Sequence, residues 1–142
     1  MYRKILVALE NGPADEALVE HVALLAQRLG SEILLLHVAD GWAARHYDDL
    51  KLAESAEMKA DRAYLENVEN RLRESQLVVS SILALGDPPK EILKISRSED
   101  CDLIAMGGHG HRLIGDLIHG STIHEVRHAT SIPVLLLRAQ KG

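Results

Sequence analysis

Five short apolar runs punctuate this chain: Ile5–Leu9, Ile33–Val38, Leu77–Ala84, Leu103–Met106 and Pro133–Leu137. Each is too brief for a buried helix. Their nearly unbroken apolar character, rather than an in-out alternation, marks strands covered on both faces. Between them lie segments whose apolar residues recur at helical spacing. The order β-α-β-α-β-α-β-α-β fits one architecture best, an α/β domain with an open, parallel five-stranded sheet and helices on both faces. Right-handed crossovers with one reversal of direction predict strand order 3-2-1-4-5. At 142 residues the chain is the length of one domain, expected to span 1–142.

The helical segments are readable from their stripes and stops. Ala14, Leu18, Val22, Leu25 and Leu29 share one face of a first helix, which follows the breaker Asn11-Gly12-Pro13 and ends at Gly30. A loop from Asp40 to Asp49 holds the only tryptophan, Trp42, expected to pack on the following helix or to cover a ligand. A long charged helix, about Asp48 to Glu74, is expected to turn Ala53, Ala56, Ala60, Ala63, Val68 and Leu72 inward. Gly86-Asp87-Pro88-Pro89 leads into a short helix that buries Ile92, Leu93 and Ile95, with Asp87 as its expected cap. A last helix runs from Ser121 to about Ala129.

Chemistry concentrates after the fourth apolar run. There the chain reads Gly107-Gly108-His109-Gly110, and nine residues later Gly120-Ser121-Thr122 opens the last helix. Glycines let backbone N–H groups approach an anion, and a helix N-terminus adds unpaired donors and partial positive charge. With order 3-2-1-4-5, the ends of strands 1 and 4 flank the point where the chain reverses, which is where such sheets bind ligands. Strand 1 is expected to end at Glu10 and strand 4 at Gly107, so motif and topology converge on one crevice.

Charge agrees with a small anion as ligand. Residues 1–106 carry 12 Lys/Arg against 19 Asp/Glu, whereas residues 107–142 carry four basic against two acidic side chains and five of the eight histidines. An acidic body disfavours nucleic acid and anionic membrane as partners. Aromatic residues make up 3% of the chain, too few for a stacking platform. No apolar run approaches the ~20 residues of a membrane span. The chain enters its first strand directly after Met1-Tyr2-Arg3, without a signal-peptide pattern, and its single Cys101 reads as a buried structural thiol; a cytoplasmic location is the expectation.

These features together resemble the universal stress protein family, along the whole chain. The family hallmark Gly-x-x-Gly-x9-Gly-Ser/Thr is met by Gly107, Gly110, Gly120 and Ser121. Supporting matches are Lys4-Ile5-Leu6-Val7-Ala8, Leu36-His37-Val38, Gly86-Asp87-Pro88, Arg127-His128-Ala129 and Ile132-Pro133-Val134. The resemblance implies a Rossmann-like fold, related to the adenine nucleotide alpha hydrolases, that binds ATP or AMP, with magnesium left open. It implies that the backbone at Ala8, Leu9 and Val38 neighbours adenine. Met106, Gly107, Gly108, His109 and Gly110 would line ribose and the first phosphate, and Gly120, Ser121 and Thr122 would meet the phosphate tail. The nucleotide-binding branch usually has Asp where this chain has Glu10, a carboxylate one methylene longer. The implied role is sensing or regulation in the stress response through an unknown protein partner, typically a membrane transporter or another stress-response component.

Two other classes remain open. One is an interaction module whose glycine loop is vestigial or binds phosphate alone, and Glu10 favours it. The other is a slow ATPase. Fast phosphoryl transfer is disfavoured because a P-loop places Lys before its Ser/Thr, whereas Gly120 precedes Ser121 here. His124-Glu125-Val126-Arg127-His128 matches the zinc-protease pattern, but no Asp, Glu or His follows His128 to complete a metal site. No catalytic or metal-binding residue is therefore assigned. His109, His111 and His119 read as loop residues beside the phosphate site, whether or not they touch the ligand; metal binding is the remaining alternative. His37 reads as a satisfied core or crevice residue, and His21 and His46 as surface. The last strand offers an apolar free edge, so pairing of two copies through Val134–Leu137 is expected.

Overall fold

A computed structural model describes residues 1–39, 56–108 and 120–138. The elements are β1 (Lys4–Leu9), α1 (Asp15–Leu29), β2 (Glu32–Ala39), α2 (Ala56–Glu74), β3 (Val79–Leu85), α3 (Pro88–Ser98), β4 (Leu103–Gly108), α4 (Gly120–Ala129) and β5 (Val134–Arg138). The strands form one sheet in the order β3-β2-β1-β4-β5, and every pairing is parallel. The sequence expectation of order 3-2-1-4-5 with helices on both faces is met.

β1 is the axis of the sheet. Its register sets Ile5 between Ile33 and Leu103, and Ala8 between Leu36 and Met106. Because strand side chains alternate, β1 feeds two cores. Ile5, Val7 and Leu9 join Leu18, Val22, Leu65, Val68 and Leu72 under α1 and α2. Leu6 and Ala8 join Ile92, Ile95 and Val126 under α3 and α4. Among the described residues no aromatic side chain is fully buried in either cluster, so their packing rests on interlocking aliphatic groups. At the N-terminal end of the strands, the Asp102 carboxylate accepts the backbone N–H groups of Arg3 (2.8 Å) and Lys4 (3.0 Å). Partial burial opposes ionisation of Asp102, but these bonds outweigh it and hold the group below the usual carboxylate range.

α1 ends where expected: Gly30 adopts a left-handed φ of 70° and donates its N–H to Ala26 O. Its buried stripe is Leu18, Val19, Val22 and Ala26, while Leu29 stays 38% exposed. α2 departs further from the expected pattern. Ala60 and Ala63 face solvent, and the buried positions are Met58, Asp61, Leu65, Val68 and Leu72. These recur at intervals of three and four residues, and the larger side chains bury more apolar area per position than alanine. Ala53, Trp42 and the start of the expected long helix lie outside the described residues, and the surroundings of the Ala56 side chain are not described.

Asp87 occupies the N-cap position of α3 with extended backbone, but its side chain makes no capping hydrogen bond. Pro88 and Pro89 fill the first two helical positions and remove the N–H groups nearest to it. Cys101 is buried as expected. Burial pushes its thiol up to about 11; nearby Lys4 opposes this, while Glu99, Asp102 and Asp100 add to it.

Candidate functional site

The crossovers around β1 run in opposite directions, towards β2 on one side and β4 on the other. Their split leaves the C-terminal ends of β1, β2 and β4 around a crevice. Ala8, Leu9, Val38, Met106, Gly107 and Gly108 all lie at these ends and are buried. The side chains of Ala8, Leu9, Val38 and Met106 belong to the cores beneath and the two glycines have none, so what these residues offer a ligand is backbone. α4 connects β4 to the parallel strand β5 and therefore runs back against the strands. Its first turn, Gly120-Ser121-Thr122, thus starts from the same end of the sheet. Thr122 is buried at 5% exposure.

The glycines divide into two kinds. β4 extends through Gly108, one residue beyond the expected end at Gly107, with Gly107 opposite Leu137 and Gly108 opposite Arg138. Neither has a positive φ. Their missing side chains serve packing: a Cβ on Gly107 would lie 3.4 Å from Ala14 Cβ, and one on Gly108 would lie 3.3 Å from Leu136 Cδ1. The first two residues of the motif are therefore strand residues that bring α1 and β5 close. His109 and Gly110, with His111 and His119, lie outside the described residues. His124 and His128 lie one helical turn apart on the exposed face of α4, with ring centroids 4.2 Å apart and ring planes tilted by 49°. His21 is exposed, as expected.

Across the crevice, β1 stops at Leu9 and Glu10 is the first residue beyond it. Asn11 takes a left-handed φ of 60°, turning the chain towards α1. This turn presents three successive backbone N–H groups, and Asp15 collects them. Its Oδ1 accepts from Glu10 (3.0 Å), and its Oδ2 accepts from Asn11 (2.8 Å) and Gly12 (3.4 Å). Consecutive amides of this kind form an anion-binding concavity. Here the anion is the protein's own carboxylate. The Glu10 side chain folds back over the turn, with Oε2 4.0 Å from where a Gly12 Cβ would stand.

A second carboxylate reaches the same turn from α2. Asp61 is buried at 8% exposure and accepts the Asn11 side-chain amide at Oδ1 (3.0 Å). Its Oδ2 lies 3.4 Å from His37 Nε2. The other ring nitrogen, Nδ1, is 2.8 Å from Leu9 O. His37 is thus the satisfied crevice residue expected from sequence, and it ties the last residue of β1 to α2. Asp15, Asn11, Asp61 and Tyr64 were not expected here. Their signals are an acid in the first turn after Asn-Gly-Pro, and an acid interrupting the apolar stripe of α2.

Tyr64 closes the network by donating its hydroxyl to Asp15 Oδ2 (2.5 Å). Burial, then this hydrogen bond and the Asp15 charge, raise the phenol well above its ordinary 10.0. Behind the turn, α1 and α2 enclose a groove of about 290 Å³ lined by Gly12, Glu16, Tyr64, Asn67 and Arg71, among others. Among the described residues no group of three or more His, Cys, Asp or Glu side chains is placed to hold a metal ion, and no helix is long and apolar enough to cross a membrane.

Comparison with known proteins agrees with this architecture. The family profile described as the universal stress protein family matches residues 1–138, and the chain belongs to that family. It is similar to the universal stress protein MJ0577 of Methanocaldococcus jannaschii, 28% identical over 164 residues, covering 100% of this chain and 98% of the relative. The solved structure of MJ0577 superposes with a TM-score of 0.82, at 27% identity, over 100% of this chain and 99% of that one. An Archaeoglobus fulgidus universal stress protein in complex with dAMP shares the fold (TM-score 0.69, 17% identity, 95% and 97% coverage). So does a universal stress protein in complex with cAMP (TM-score 0.68, 16% identity, 96% and 97% coverage).

The raised phenol gives a signed expectation. An unfolded Tyr64 ionises from about pH 10, whereas the folded one stays protonated, so its contribution is complete below that pH and declines above it. Urea denaturation between about pH 9 and 11.5 should show a steeper stability loss in the native protein than in Tyr64→Phe. Parallel losses would contradict the arrangement.

Proposed function

We propose that this chain binds ATP or AMP in the crevice between β1 and β4 and acts as a regulator rather than a catalyst. The observation that carries the reading is the division of polar groups around the crevice. On the β1 side, the amides of Glu10, Asn11 and Gly12 already hold Asp15, so that wall has little to offer a phosphate. On the β4 side, α4 begins with Gly120-Ser121-Thr122, and a helix start offers backbone N–H groups and the favourable end of the helix dipole to an anion. Phosphates would therefore meet Gly120, Ser121 and Thr122, with His109 and Gly110 on the intervening chain. The base would lie towards the backbone of Ala8, Leu9 and Val38 beside Glu10, and Met106, Gly107 and Gly108 would line the ribose. Family members in complex with dAMP and cAMP support an adenine ligand.

Chemistry argues for holding rather than cleaving. No lysine precedes Ser121 to carry charge in phosphoryl transfer. A cytoplasmic sensor fits this site: occupancy would alter the glycine segment, and a protein partner would read the change. A membrane transporter or another stress-response component fits such a partner. The alternative, a module that binds phosphate alone, draws on Glu10, whose longer side chain already covers the Asn11-Gly12 turn. β5 supports self-association, since its edge keeps Leu136 41% exposed and Val134, Leu135 and Leu137 only partly covered.

Two measurements check these readings. Calorimetry with ATP, ADP and AMP should give dissociation constants below about 1 mM for at least one of them. No heat from any of the three at millimolar concentration would reject nucleotide binding. Sedimentation at micromolar concentration should show a dimer that Leu136→Glu dissociates; a native monomer would reject pairing through β5.

A further inference from the structure

We infer that Asp61, on a helix outside the glycine motif, is a positioning residue that sets the adenosine-side wall of the crevice. This inference rests on the nucleotide reading above for its ligand, but its geometry stands independently. Asp61 is buried and uses its two oxygens on two different parts of the wall. Oδ1 holds the Asn11 side chain at 3.0 Å, and Oδ2 faces His37 Nε2 at 3.4 Å. His37 in turn reaches Leu9 O at 2.8 Å, on the final residue of β1. One carboxylate from α2 therefore fixes both the end of β1 and the left-handed turn that follows it.

A buried carboxylate is costly unless it is hydrogen-bonded, and here its partners are the buried His37 ring and the side-chain amide of Asn11, on the exposed turn. The two ring nitrogens of His37 face oxygens of two different elements, Leu9 O of β1 and Asp61 Oδ2 of α2. Leu9 O is the carbonyl next to Glu10, the residue facing the proposed base. Removing Asp61 leaves Asn11 Nδ2 and His37 Nε2 without their acceptor and frees the ring to turn. The wall then loses its direct link to α2 and keeps the indirect one through Tyr64 and Asp15, whose carboxylate still holds the amides of the turn. The expected damage is local: a displaced adenosine wall on an intact sheet.

The amide of an Asp61→Asn variant has the same shape. Its oxygen accepts from Asn11, and its nitrogen donates to Nε2 of a neutral His37 that keeps its proton on Nδ1 towards Leu9 O. The two substitutions thus separate lost positioning from lost charge.

The test combines AMP calorimetry with amide hydrogen exchange on the ligand-free, full-length protein. Asp61→Ala should weaken AMP binding about tenfold and speed exchange at Glu10, Asn11 and Gly12 relative to the centre of β1, and Asp61→Asn should restore most of both. Affinity within about twofold of native together with unchanged exchange would overturn the inference while leaving nucleotide binding intact. If Asp61→Ala does not fold, His37→Leu removes the contact of Asp61 Oδ2 with the end of β1 and leaves the left-handed Asn11 in place; faster exchange at the turn with weaker AMP binding supports the inference, and neither change overturns it. If the native protein binds no AMP, the nucleotide reading fails. The exchange data then decide the positioning role alone: a rise confined to the turn upholds it and no rise overturns it.

Discussion

The structure depends on β1 being paired along both edges. A strand with parallel neighbours on each side, and helices above and below, has no solvent-facing position for a polar side chain. Ile5 through Leu9 meet that requirement with five apolar residues at 2% exposure or less. The chain leaves β1 towards β2 and β3 on one side, then crosses back from β3 to build β4 and β5 on the other. The crevice follows from this reversal. Its walls are the places where the chain leaves β1 and β4, so their backbone groups need partners other than neighbouring strands.

The two walls meet that need in opposite ways. Beyond β1, three consecutive amides close on Asp15, the carbonyl of Leu9 engages His37, and Asp61 ties the ring and Asn11 to α2. The amides of this wall are thus already engaged within the protein. Beyond β4, the chain passes to α4, whose start turns backbone N–H groups and the positive end of the helix dipole to the same end of the sheet. An asymmetric ligand with an apolar base and an anionic tail matches such a pair of walls. Inorganic phosphate alone matches only one of them.

The apolar runs made the sheet legible in sequence, because burial on both faces leaves little freedom in residue type. Gly30 was legible for a similar reason: a left-handed helix stop favours glycine. The stripe of α2 was misread because alanines tolerate either face, while Met58 and Leu65 carry the packing and Asp61 breaks the apolar pattern. Gly107 and Gly108 carry a motif whose spacing points to phosphate, yet in the fold their lack of Cβ admits Ala14 and Leu136. Spacing does not distinguish a close approach to ligand from a close approach to a neighbouring strand or helix. The Asp15 and Asp61 network was not legible because its members are far apart in sequence, with Asn11 bonded to a residue 50 positions away. Only the packing of α2 beside the end of β1 brings them together.

The central claim is that one ligand spans both walls, with its base towards β1 and its phosphate towards α4. Amide chemical-shift mapping during an AMP titration of the full-length protein tests this most directly. The account predicts that the largest changes fall together on Leu9, Glu10, Val38, Gly107, Gly108 and Thr122, with Arg3 and Asp102 at the far end of the sheet unmoved. Changes centred on the α1–α2 groove around Glu16 and Arg71, or confined to the first turn of α4, would contradict it.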